Sequence, residues 1–438
     1  MQRTWCKPLP AADLLIQGGR VVDPENGVDA VQDVLIKKGK VTRTGKGLVA
    51  PEGTRVVDAA GMLVLPGFVD LHTHFRTPGR EDEEDLATVS AAAAAGGYVA
   101  AFGMANTEPV TDSAVLLRGL ARQAESDAVV PLGFYAAVTR GLRGEQLTEM
   151  GELGETGAVG FSDDGRPLPT AAITRRALQY AKVGDRFVAV HAEDESLCAG
   201  GQMHEGAASA RLGLGGIPSL CESLDVARAL DVAAYEDARV HVCHVSAEES
   251  LQAIARAKEA GVRVTAETTP HHLTLIDEQL ASFDTNFKMN PPLRAETDRR
   301  ALVEALKSGL VDCVATDHAP HAPESKDVPF EEAPFGVVGL ETAFSVLYGA
   351  LVTSGELPLG TLVTRMSAAP ARIAGLDVPS VAAGAVADLC VVDPQAVWTV
   401  QAGALKSRSH NSPWLGQELT GKVRLTVAAG RVAWDDLA

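Results

Sequence analysis

The chain has 438 residues, 46% hydrophobic and 22% charged, with 39 Lys plus Arg against 57 Asp plus Glu for a net charge of −18. The apolar share allows a large buried core, and the length allows one α/β barrel with a smaller domain added. The acidic balance argues against a general binder of nucleic acid or anionic membrane.

The N-terminus, MQRTWCKPLPAADLL, lacks the apolar core of a signal peptide. No apolar run in the chain approaches the ~18 residues of a membrane span. DLLIQGGRVVD, DVLIKKGKVTRTG and RVVDAAGMLVLPG follow, short β-branched runs broken by Gly, Asn and Pro. The tail has the same texture in ADLCVVDP and VRLTVAAGRVAWD. Residues 1–63 and 380–438 are therefore expected to pair in space as one small β-domain, a β-sandwich.

Between them, residues 64–379 alternate apolar runs with Ala- and Leu-rich helical stretches. The runs are LPGFVDLHTHF, GGYVAAFGMANT, VVPLGFYAAVT, AVGFSDDG, FVAVHAED, VHVCHVS, VRVTAETTPHH and VDCVATDHAPH. Eight β-then-α units predict an α/β fold, a (β/α)8 TIM barrel that forms the catalytic domain. A doubly wound open sheet has the same alternation, but no GxGxxG follows the first strand to support a dinucleotide site. Six scattered cysteines (Cys6, Cys198, Cys221, Cys243, Cys313, Cys390) with no CxxC read as the reduced thiols of a cytoplasmic protein.

Nearly every run carries its polar residues at its C-terminal end, where barrel active sites are built. These are His72 and His74, Asn106, Asp163 and Asp164, His191, His244 and Asp317. A lone HxH is more often a pair of packed histidines than a metal site; the weight lies in the joint placement on six strands. His72 and His74 are two apart, so both point to one side, as two ligands of one ion must. His191 shares the parity of Phe187 and Ala189, and His244 that of Val240 and Val242. His241 and Cys243 have the other parity and read as structural. Asp317 closes its run, where a buried carboxylate needs a partner such as a metal; a helix N-cap is its ordinary alternative. Asp163 and Asp164 cannot both face inward, and alternation does not choose between them.

In order along the chain, LPGFVDLHTHFRTPG, FSDDG, VAVHAED, VHVCHVS, KMNPPLR and ATDHAPH resemble the cyclic amidohydrolases of the metallo-dependent hydrolase superfamily. They are most similar to the class I bacterial dihydroorotases, over nearly the whole chain. The resemblance implies two zinc ions per subunit: His72, His74 and Asp317 on one, His191 and His244 on the other, with Asp164 bridging. Related hydantoinases and allantoinases bridge with a carbamylated Lys on strand four, and the fourth run here has no Lys. Thr77, where the family often has an acidic residue, is not a ligand position.

The implied reaction is the reversible, zinc-dependent cyclisation of N-carbamoyl-L-aspartate to (S)-dihydroorotate in pyrimidine biosynthesis. Water would be the hydrolytic nucleophile, and Asp317 the catalytic residue that moves its proton. Arg76, Asn106 and His321 are the implied contacts of the substrate carboxylate, and Asn290 of the ring. His74 and the backbone at Phe335 and Gly336 complete the substrate site. A homodimer, and a complex with aspartate transcarbamoylase, are further implications.

Arg76 is expected to grip the substrate rather than to pair with the EDEED run at residues 81–85, which reads as a solvated helix start. Residues 323–334, PESKDVPFEEAP, are expected to form a mobile cover. His204, His271, His272, His318 and His410 receive no role. Two alternatives compete. A hydantoinase or allantoinase is disfavoured by Arg76 and Asn106, since hydantoins lack the carboxylate. A non-catalytic scaffold for aspartate transcarbamoylase is disfavoured because all six ligand positions are filled.

Overall fold

The structure, a computed structural model, describes residues 3–198 and 200–437. Seven of the eight expected runs form strands of a parallel barrel: Phe68–Thr73, Tyr98–Gly103, Leu132–Phe134, Val188–Val190, Val240–Val242, Val264–Thr268 and Cys313–Val314. The fourth run does not extend into a strand. Phe161 alone bridges Ala136 on one side and Val188 on the other, filling the gap between the third and fifth positions. The residues after it, Ser162 to Gly165, turn away at once, with Gly165 at φ +79°; FSDDG is turn chemistry, and it stops the ladder early.

The ring closes between its first and last members. Thr73 bridges His318, and the His74 N–H donates to His318 O at 2.8 Å. Asp70, fully buried, clamps the same seam by accepting from Thr316 Oγ1 at 2.6 Å and from Thr316 N at 3.1 Å. The covering helices follow local rules. Leu86–Ala95 starts at Asp85, whose carboxylate accepts from Thr88 N at 2.8 Å. Ala114–Asp127 starts at Ser113 and buries Leu117, Leu120, Ala121 and Ala124, a single apolar stripe.

The two ends of the chain meet in one eight-stranded sheet. Leu389–Val392 runs antiparallel to Leu63–Pro66, which places N- and C-terminal segments side by side. That N-terminal strand continues through Pro66, past the division expected at residue 63. The chain then enters the barrel at Gly67, where a Cβ would lie 2.2 Å from Val99 Cγ1, so only glycine allows the passage. The sheet curls around its own core of Ile16, Val34, Val64, Val391 and Leu425, separate from the barrel core.

The C-terminal segment is not purely β-domain, contrary to the expectation for residues 380–438. Residues 406–411 leave the sheet and lie on the barrel. Glu341 accepts from Lys406 N and Ser407 N, and Glu84 accepts from Arg408 N. No helix among the described residues is long and apolar enough to cross a membrane.

Candidate metal centre and active site

Six side chains from five barrel positions converge at the C-terminal end of the strands. His72 Nε2 lies 3.3 Å from Asp164 Oδ1 and 3.5 Å from Asp317 Oδ1. His74 Nε2 lies 3.0 Å from Asp317 Oδ1 and 3.6 Å from Asp164 Oδ2. His191 Nδ1 and His244 Nε2 are 3.6 and 3.5 Å from Asp164 Oδ1, and 2.9 Å from each other. Asp164 thus faces all four histidines, and the His72 ring lies 5.0 Å from that of His244 and 5.5 Å from that of His74. Asp163 is turned away, accepting from Val138 N at 2.8 Å, from Thr139 N at 3.0 Å and from Thr139 Oγ1.

Strand geometry explains part of this and strain the rest. His72 and His74 share a face by alternation. His244 and Asp317 lie just past their strands at φ +32° and +47°, and Arg76 at +59°. Non-glycine residues rarely occupy this left-handed region, and the conformation turns their side chains off the strand axis toward the mouth.

The donor set fits divalent cations. His72 Nε2 and Asp164 Oδ1, which face each other at 3.3 Å, are buried without a hydrogen-bond partner. Burial opposes charge on His72, Asp164, His191 and Asp317, yet opposite charges prevail. Against burial, His72 holds Asp164 well below the usual carboxylate range, helped by the neighbouring His191 and His244 rings. Against the same penalty, His72 and His74 depress Asp317. His191 is raised to about 10, burial being overcome by Asp164 and Glu193. Ligation needs neutral imidazole, so a divalent ion would bind here with release of such protons.

The centre opens into a cavity of about 250 Å³ lined by His74, Arg76, Asn106, Asn290, Asp317 and His321, among others. Every expected substrate contact lies on its wall, but not every polar atom is free. Asn106 Oδ1 accepts from His74 Nδ1 at 2.9 Å, which turns His74 Nε2 toward the carboxylates. Asn290 Nδ2 donates to Glu193 Oε2 at 3.1 Å. His321 Nε2 donates to Phe335 O at 2.8 Å, and Gly336 N to Lys288 O at 2.9 Å, so these two donors are committed within the protein.

One surface expectation is corrected in part. The EDEED run does start a helix, at Asp85, and Glu81 and Asp82 are exposed, but it is not solvated throughout: Glu83 and Glu84 are 1% and 0% exposed. Glu84 accepts from His318 Nε2 at 3.2 Å and from Ser407 Oγ. Glu83 meets Arg76 Nε at 3.2 Å, so the pairing set aside for Arg76 does form, inside the protein rather than at its surface. Residues 323–334 are anchored to their surroundings by two lysines. Lys326 Nζ donates to Pro334 O at 2.8 Å and to Thr285 O at 3.1 Å. Lys288 Nζ donates to Phe330 O at 2.7 Å and to Glu331 O at 3.0 Å.

The profile of the amidohydrolase family matches residues 63–433. The chain belongs to the amidohydrolase family. Among curated relatives of this amidohydrolase, the dihydroorotase of Geobacter metallireducens is 46% identical, covering 96% of this chain and 99% of that one. The dihydroorotase of Anaeromyxobacter dehalogenans is also 46% identical, covering 97% and 98%. Among solved structures, an L-hydantoinase (dihydropyrimidinase) from Arthrobacter aurescens is similar, at a TM-score of 0.87 and 26% identity. It covers 97% of this chain and 96% of that one.

Three braces of this amidohydrolase's site were not anticipated. Glu267, 1% exposed, accepts from His72 Nδ1 at 2.7 Å and from His241 Nε2 at 3.0 Å. That fixes the His72 tautomer with Nε2 inward, and it gives His241 the structural place its parity suggested. Glu193 does the same for His191, accepting from Nε2 at 3.1 Å so that Nδ1 faces Asp164. Asn411 comes from the C-terminal segment. Its Oδ1 accepts from His321 N at 3.1 Å, and its Nδ2 donates to Ala319 O at 2.9 Å and Gly336 O at 3.1 Å. The only local signal was Glu193, two residues past His191.

Proposed function

We propose that the protein catalyses the reversible, metal-dependent cyclisation of N-carbamoyl-L-aspartate to (S)-dihydroorotate, the dihydroorotase step of pyrimidine biosynthesis. One observation carries the reading. His74, His191, His244, Asp164 and Asp317, with His72 buried behind them, line one end of a cavity whose wall also holds Arg76 and Asn106, in a chain 46% identical to dihydroorotases over nearly its full length.

His72, His74 and Asp317 would hold one zinc ion and His191 and His244 a second, with Asp164 between them. Such ions, when bound, polarise a carbonyl and make water acidic near neutral pH. The chain's own residues supply the rest. Arg76 and Asn106 orient the carboxylate of the small substrate, a guanidinium fork being suited to that group. Asn290, held by Glu193, addresses the ring. Asp317 Oδ1, 3.0 Å from His74 Nε2, takes the proton of the attacking water and passes it to the ring nitrogen as the amide bond breaks. Ring closure runs the same transfers backwards. Glu267 and Glu193 keep the imidazoles pointing inward throughout.

The test is turnover of dihydroorotate against hydantoin and allantoin by the purified protein, with its metal content measured. Dihydroorotate as the preferred substrate is expected. Preference for a ring without a carboxylate would overturn the reading, and a metal-free, inactive protein would favour the scaffold.

A further inference from the structure

Beside the dinuclear cluster lies a second group of metal-ligating side chains that the proposed reaction does not use. One ligand atom each of Glu193, Cys198 and Cys221 lies within 4.8 Å of the others. Both sulfurs point at one main-chain oxygen, Cys198 Sγ at 3.2 Å and Cys221 Sγ at 3.3 Å from Asp194 O. We propose that these three side chains and Asp194 O form a distinct site for a thiophilic divalent cation of the Zn²⁺ or Cd²⁺ type, wired to the reaction through Glu193.

The geometry suits such an ion. Tetrahedral ligands at Zn–S ≈ 2.3 Å and Zn–O ≈ 2.1 Å stand roughly 3.5–3.8 Å apart; the sulfurs lie 3.2 and 3.3 Å from Asp194 O, and the three side-chain ligand atoms lie within 4.8 Å of one another. The arrangement is held in advance, because the Asp194 N–H donates to Cys221 O at 2.9 Å and ties the loop to the first turn of the helix Ser219–Glu236. Cys198 is partly exposed and follows the exposed residues 195–197, which gives an ion a way in. Two thiolates also distinguish the site from the histidine and carboxylate cluster, since sulfur selects softer ions. Burial pushes both thiols up, so each is neutral until an ion displaces its proton. Binding therefore releases two protons to solvent and weakens in acid.

The site reaches the reacting centre in one step. Glu193 Oε2 is the acceptor for His191 Nε2 and for Asn290 Nδ2, both at 3.1 Å. An ion that draws on this carboxylate weakens the brace of His191 and the hold on Asn290, so occupancy should slow turnover.

The experiment adds Cd²⁺ to the holoenzyme, its active-site ions already in place, and follows the ultraviolet sulfur-to-cadmium charge-transfer band. One further equivalent is expected to bind with growth of that band. C198S and C221S, which alter no residue of the reaction, should each lose the band while keeping turnover without cadmium. Turnover should fall with occupancy in the wild-type chain and not in either variant. A band of unchanged size in both variants, or no equivalent beyond the active-site ions, overturns the site. Full occupancy with unchanged turnover overturns the wiring through Glu193. Only the turnover readout rests on the proposed reaction. The band and stoichiometry stand apart from it, so the two ideas fail separately.

Discussion

Replacing Glu267 with Gln probes the deepest support of the metal centre. The carboxylate bridges His72 Nδ1 at 2.7 Å and His241 Nε2 at 3.0 Å and is 1% exposed. His241 and His72, working against burial, hold its carboxyl down at about 2, so it meets both rings as an anion. Glutamine has the same size but only one acceptor oxygen. If that oxygen stays on His72, the amide N–H confronts the His241 N–H. If it turns to His241, His72 loses the partner that fixes its tautomer. One charge-assisted bond disappears either way, at about 1.5–3 kcal/mol. Outer partners of ligating histidines are typically worth about 10–100-fold in metal affinity or activity, or about 1.4–2.7 kcal/mol. E267Q is therefore expected to fold with a lowered Tm, to release metal at lower chelator concentration, and to lose one to two decades of kcat/KM. Metal retention and kcat/KM within about twofold of wild type would show that the His72 tautomer needs no brace.

Asp317→Asn should keep much of the metal while abolishing dihydroorotate turnover; near-normal rates would remove Asp317 from proton transfer. The neighbouring aspartates should part company: Asp164→Asn should lose metal on dialysis with its fold intact, and Asp163→Asn should keep metal but lose about 1–3 kcal/mol of stability. Metal analysis and thermal unfolding on both variants check this. Asn411→Ala should raise KM for dihydroorotate about tenfold, or about 1.4 kcal/mol, with kcat nearly unchanged; an unaltered KM would deny the C-terminal segment any part in the site. Burial pushes the Asp70 carboxyl up to about 7, with hydrogen bonds from Thr316 and His72 opposing. Because its unfolded value is about 3.9, the folded state takes up a proton between these limits. The Asp70 contribution is then complete below about pH 4 and fades as pH rises through 7, by roughly 4 kcal/mol at most. Asp70→Asn should flatten the difference in Tm across that window; parallel wild-type and variant curves would contradict it.

The convergence of these histidines was legible because alternation along a strand is local. His72 with His74, and the matched parities of His191 and His244, need only a period of two. Choosing Asp164 over Asp163 needed the turn itself, since the fourth run ends its ladder at Phe161 and no parity continues beyond it. Glu267 stayed hidden because its partner His72 lies 195 residues away in sequence. The EDEED run misled for a related reason: Glu83 and Glu84 look solvated until Arg76 folds back from the same loop and His318 and Ser407 arrive from distant segments to meet them. Asn411 sits in a tail whose texture announces only β-structure. The split β-domain was readable from texture, but the strand through Pro66 was not cut where its composition changed.

The left-handed backbone at Arg76, His244 and Asp317 sets two evolutionary pressures against each other. Glycine would relax each of these turns by about 1 kcal/mol or more, yet glycine carries neither guanidinium, imidazole nor carboxylate. A campaign selecting only for heat resistance would drift toward Gly at these positions and harvest hardier, silent proteins. Thermostable descendants that still turn over substrate should gain their robustness elsewhere and leave these three contortions untouched.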